Sequence, residues 1–146
     1  MTMAVPASAI CRPREPRARI RRLTLAQLVP FTLPWGAMEI RGYVDRHGRS
    51  PFGAWFDRLN APAAAKVAAA LTRLEQGNWS NVKAVGGGVS EYRIHFGPGY
   101  RVYFGRDGDR LVILLGGGTK KRQSLDIDVA KLRWRDYAER KDRGEE

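Results

Sequence analysis

Within Glu91 to Phe104 the chain reads EYRIHFGPGYRVYF, and every second residue of its two short segments carries a group able to hold phosphate or move a proton. Glu91, Arg93 and His95 precede a Gly-Pro-Gly turn, and Arg101 and Tyr103 follow it. Strand side chains alternate faces with period two, so these five residues share one side of a hairpin. Tyr92, Ile94, Phe96, Tyr100, Val102 and Phe104 take the other. Pairing Phe96 with Tyr100 around the turn sets Arg93 opposite Tyr103 and His95 opposite Arg101. A two-residue hairpin signal at Asp107-Gly108 then adds Leu111, Ile113 and Leu115 to the apolar side. Such a polar side is the solvated face of an antiparallel sheet unless it holds a ligand. The following GGGTKKR, Gly116 to Arg122, reads as a basic, glycine-rich loop suited to phosphate.

These groups match the needs of RNA cleavage without a metal. A base must take the 2'-hydroxyl proton, an acid must protonate the leaving 5'-oxygen, and cations must surround the phosphorane, usually the largest effect. Arg93, Arg101 and Lys120 suit the last role. His95 is the natural acid or base, because imidazole exchanges protons near neutral pH. Glu91 and Tyr103 are alternatives, and Tyr103 could also stack on a base. Lys121 and Arg122, with Lys131 and Arg135 farther along, are candidates for contacts to the RNA backbone. A formal charge of +11 favours a polyanionic partner. One cysteine, Cys11, and two histidines, His47 and His95, offer no metal-ligand spacing and no internal disulfide. The expectation is a cytoplasmic protein with neither metal nor cofactor.

The elements that must position these residues are marked by punctuation. A chain of 146 residues suits one domain, and no apolar run approaches the roughly 20 residues of a membrane span. Residues 1–37 hold six Arg, one acid and five Pro, and read as a disordered or loosely attached leader, or as an extension that is not part of the natural protein. As an export signal, the apolar run opened by RRLTLAQLVPF is interrupted by Pro30 and then Pro34. Met38 is the natural start of the domain, 38–146. MEIRGYV reads as a strand. Ser50-Pro51 opens a short helix carrying Phe52, Trp55, Phe56 and Leu59. Asn60 or Ala61 opens a second, with Val67, Ala70, Leu71 and Leu74 on its stripe and Gly77 at its end. Asn78 to Gly88 reads as a loop. Three strands follow, then an amphipathic helix over Asp126 to Lys141 with Ile127, Ala130, Trp134 and Tyr137 inward. The expected fold is α+β: a small, mainly antiparallel sheet, an N-terminal helical hairpin and a C-terminal helix, in the order β-α-α-β-β-β-α.

The run SEYRIHFGPGYRVYFGRDGDRLVILLGGGTKKRQSLDI, with the basic helix after it, resembles the RelE/ParE superfamily of bacterial toxins, and within it the HigB-like addiction module killer proteins. The likeness spans Met38 to Lys141. It implies a type II toxin held inactive by a cognate antitoxin, commonly a helix-turn-helix protein encoded beside it. In the RelE-like branch the activity is metal-free cleavage of messenger RNA on the ribosome; in ParE-like relatives it is inhibition of DNA gyrase by binding. A third expectation is a degenerate toxin serving as an antitoxin partner. By position, Arg101 matches the family's central-strand arginine, Arg93 the basic residue of the preceding strand, and Lys120 the basic residue after the last strand. His95 belongs to the HigB-like motif. Thr119 stands where many relatives carry an acid, and the catalytic C-terminal Tyr or His of some ribonuclease members has no assigned counterpart.

Overall fold

Two side-chain caps start the helical hairpin. In the computed structural model, which describes residues 38–145, Ser50 Oγ accepts from the Gly53 amide at 3.0 Å and opens α1 (Pro51–Asp57). Asn60 Oδ1 does the same for the Ala63 amide at 2.9 Å and opens α2 (Ala61–Glu75). Each satisfies an amide that the first helical turn leaves without an internal partner, and Pro51 and Pro62 fit where no donor is needed. Ala63, Val67, Ala70, Leu71 and Leu74 are the buried stripe of α2. The leader expected over 1–37 lies outside the described residues.

Five strands form one sheet: β1 (Glu39–Gly42), β2 (Val82–Gly86), β3 (Val89–Ile94), β4 (Tyr100–Asp107) and β5 (Leu111–Thr119), in the order β1-β5-β4-β3-β2. Only β1 and β5 pair in parallel. A 3-10 turn at Lys120–Arg122 leads into α3 (Gln123–Asp142). The α+β class is as expected, with one strand more. The presumed loop Asn78 to Gly88 contains β2, which pairs with β3 through a turn whose Gly87 and Gly88 have φ of 62° and 82°. Consecutive left-handed residues make a tight hairpin turn, so that glycine cluster marks a reversal between strands. Among the described residues no helix is long and apolar enough to cross a membrane.

The register departs from expectation in two ways with different consequences. Between β3 and β4 the observed partners are Arg93↔Arg101, Glu91↔Tyr103 and Ile94↔Tyr100. This is a slip of two residues, which preserves the faces. His95 therefore stands beyond β3, exposed, and is not opposite Arg101. Between β4 and β5 the partners are Asp107↔Leu111 and Gly105↔Ile113, so residues 108–110 form a three-residue connection. An odd slip exchanges the faces: Leu111 and Ile113 lie on the side of Gly105 and Tyr103, not with Phe104. Leu115 then bulges between the pairs Phe104↔Leu114 and Tyr103↔Gly116, restoring the opposite phase for Gly117 and Thr119.

Both sheet faces consequently carry a core. Tyr92, Ile94, Val102, Phe104, Val112 and Leu114 are buried on the side where Trp55 of α1 packs edge-on to Tyr100. On the other side Tyr43, Val89, Tyr103, Ile113 and Leu115 close around Ala130 of α3, with Ile127, Trp134 and Tyr137 against them. The face expected to be solvated is therefore covered along much of its length by the C-terminal helix. Glycine makes close packing possible on both faces: a Cβ at Gly105 would collide with the Trp134 ring of α3, and one at Gly117, on the opposite face, with the Trp55 ring of α1. GGG is strand, not loop.

Candidate functional site

Helix α3 lies across β3, β4 and β5, placing Gln123 near Glu91, Asp126 over Gly118, Trp134 over Gly105 and Tyr137 at Asp107. Its apolar residues seal the Gly105 end of the sheet face. At the other end the same face turns polar. Glu91 and Arg93 come from β3, Arg101 from β4 and Gln123 from the first position of the helix.

Glu91 is the hub. Its carboxylate is 0% exposed and receives hydrogen bonds from Arg93 Nε at 2.9 Å and from Gln123 Nε2 at 2.8 and 3.1 Å, while Arg101 Nε lies 3.8 Å from Oε2. A buried carboxylate held by three side chains is a strut rather than a mobile base, since burial without such partners would cost several kcal/mol (~3–5 on removing one partner of a buried pair). Arg101 is 7% exposed, and its Nε makes no hydrogen bond among the described residues despite that burial. An orphaned guanidinium donor beside a second arginine is unusual in a settled interior and marks a place where an anion would be well received.

Tyr103 has a different place from the one its phase suggested. It is 1% exposed, inside the core beneath α3, and its hydroxyl has no hydrogen-bond partner among the described residues. Its ring has no free face on which a base could stack. Burial pushes the phenol far above its usual range, helped by the nearby Glu91 and Asp126 carboxylates and opposed by Arg101. Asp126 is also raised by burial, against the pull of Arg122 and Arg133. Its carboxylate occupies the space that a side chain at residue 118 would need.

The remaining candidates separate into two groups. Lys120, Lys121 and Arg122 are exposed at the entry to α3, and the Lys120 amide donates to Gly99 O at 2.8 Å, which ties this turn to the Gly97–Gly99 loop following His95. They join Arg93 and Arg101 at one end of the sheet. Lys131 instead lies against Gly86 and Gly87 at the β2–β3 turn, and Arg135 is exposed farther along the helix. Gln123, Asp126 and Arg133, whose Nη1 donates to Leu115 O at 2.8 Å, were not anticipated. Gln123 was hidden because TKKRQS carries no side-chain cap to announce the helix, and Arg122 stands at the N-cap with none.

Residues 54–135 match the family described as "Phage derived protein Gp49-like (DUF891)". The chain belongs to the Gp49-like family. This is a family of addiction-module toxins of the RelE/ParE-like type, and membership implies an antitoxin partner. The match covers both sheet faces and α3 as far as Arg135, so every residue of the polar end lies inside the shared region. A protein from Haemophilus influenzae, described only as uncharacterized, is 46% identical over 82 residues, which make up 56% of this chain and 83% of the relative. That relative is little longer than the region it shares with the Gp49-like toxin.

Proposed function

We propose that this Gp49-like toxin belongs to the HigB-like group and is a metal-independent endoribonuclease that cuts messenger RNA on the ribosome. A helix-turn-helix antitoxin would be its inhibitor. The observation that carries the reading is the cross-strand pair Arg93↔Arg101, held by a buried Glu91 on a rim with Lys120, Lys121 and Arg122. Like charges directly opposite on a sheet are destabilising. A fold that nonetheless fixes two guanidinium groups there has a preorganised seat for an anion whose charge grows during reaction.

In the proposed step the RNA 2'-oxygen attacks phosphorus, the bond to the 5'-oxygen breaks, and the products are a 2',3'-cyclic phosphate and a 5'-hydroxyl. Arg93 and Arg101 stabilise the phosphorane. Lys120, Lys121 and Arg122 hold the neighbouring phosphates. His95, exposed beside the loop that Lys120 touches through Gly99, is the candidate to move the proton. Glu91 and Gln123 orient the arginines, and Tyr103 supports them from the core. Inducing the protein and mapping message ends by primer extension tests the reading: discrete breaks with 5'-hydroxyl ends are expected. Growth arrest with intact messages and stalled DNA gyrase would replace it with the gyrase-binding alternative.

A further inference from the structure

The outward side of α3 carries Leu125, Val129 and Leu132, which are 60%, 39% and 60% exposed. Their spacing of i, i+4, i+7 puts them in one stripe, away from the Ala130 and Trp134 positions that meet the sheet. The helix is therefore apolar on two sides, and among the described residues only one is packed. Lys121 and Arg122 precede Leu125 by one turn and are exposed, so the stripe runs directly into the cationic rim of the site. Arg135 flanks it farther along, and Asp128 and Glu139 are exposed acids on the same side of the helix.

We propose that this stripe seats an acidic amphipathic helix of the inhibitory partner, with its apolar side on Leu125, Val129 and Leu132 and its carboxylates on Lys121 and Arg122. The inference rests on the toxin–antitoxin reading for the identity of the partner, and it adds where and by what chemistry that partner binds. An amphipathic helix recognises such a surface by anchors at helical spacing. Charge selects it over a second copy of the chain. A second copy would bring two chains of formal charge +11 together, with three apolar side chains a side against the roughly 800 Å² per partner of a stable interface. A bound acidic helix would close the entrance beside Lys120 without entering the Glu91 network, so inhibition needs no rearrangement of the arginines.

The test uses the full chain and a fluorescent synthetic peptide of about 18 residues, long enough for a stable helix when bound. Leu residues sit on one face and Glu on its flanks; a control peptide of identical composition has the Leu positions scrambled. Anisotropy without RNA reads binding independently of any cleavage, so this proposal and the nuclease reading fail separately. The expected result is binding of the patterned peptide, weakened at least about tenfold by Leu125→Ser with Leu132→Ser, while the variant keeps its melting temperature and any message cleavage. Leu132→Ser alone serves if the double variant unfolds. Equal binding of the scrambled peptide, equal binding by the variants, or sedimentation showing stripe-dependent self-association would overturn the proposal.

Discussion

Arg93 and Arg101 face one another across the β3–β4 ladder, and the Glu91 carboxylate lies within 2.9 Å of one Nε and 3.8 Å of the other. The three form a charge triad in which the acid is entirely buried and the two bases outnumber it. Gln123 adds neutral donors to the acid from the helix. The net positive charge left at the rim is the property an RNA phosphate would use, and its orientation is set before any ligand arrives.

Removing Arg101 separates function from folding. Arg101→Ala leaves Glu91 with Arg93 and Gln123, so the domain should fold with a loss of about 1–3 kcal/mol in urea melts. Message cleavage should fall by at least about 100-fold, the scale of losing one preorganised donor. Arg101→Lys keeps charge without the planar fork and should fall between.

Glu91 should behave in the opposite way, as a structural residue first. Glu91→Gln leaves two adjacent guanidinium groups without a counter-charge, and the expected cost is about 3–5 kcal/mol in urea-unfolding free energy. An unchanged midpoint would show that the carboxylate does not hold the pair together.

Two glycines of the sheet are required for space rather than flexibility. Gly105→Ala forces a methyl into the Trp134 ring and Gly117→Ala forces one into the Trp55 ring. Each should lower stability by about 1–3 kcal/mol or more, measured by thermal melts, because neither ring is the loose end of a flexible side chain. A flexible phosphate loop at 116–118 would tolerate Gly117→Ala.

Acid should act on two aspartates with opposite signs. Hydrogen bonds from Lys141 and Tyr137 lower the Asp107 pKa from its ordinary value of 3.8. Its contribution is present above that value and is lost as pH falls through the depressed one. Burial raises Asp126 from the same ordinary value, so its contribution is full below 3.8 and fades as pH rises through the raised one. Melting temperatures at pH 7 should therefore drop in Asp107→Asn and rise in Asp126→Asn, with both differences narrowing toward pH 3.

The sequence was most legible where local chemistry decides structure. Ser50 and Asn60 announce their helices because a cap is satisfied within three residues, and the alternation around Arg93 and Arg101 survives a two-residue slip. Faces failed where one residue changes everything. The Asp107-Gly108 signal gave a two-residue turn, but the chain reverses through residues 108–110, which moved Leu111 and Ile113 to the other face. Tyr103 misled because a tyrosine suits either a wet face or a core, and nothing within β4 tells that the C-terminal helix will cover it. The triglycine run misled for the same reason, since the need for glycine at 117 and 118 comes from Trp55 and Asp126.

The most direct measurement is primer-extension mapping of messages in a translating extract given the full-length protein or its Arg101→Ala variant at matched folded concentration. The account predicts discrete new 5' ends with the natural protein and none with the variant. Intact messages with the natural protein, or equal cleavage by both, would contradict it.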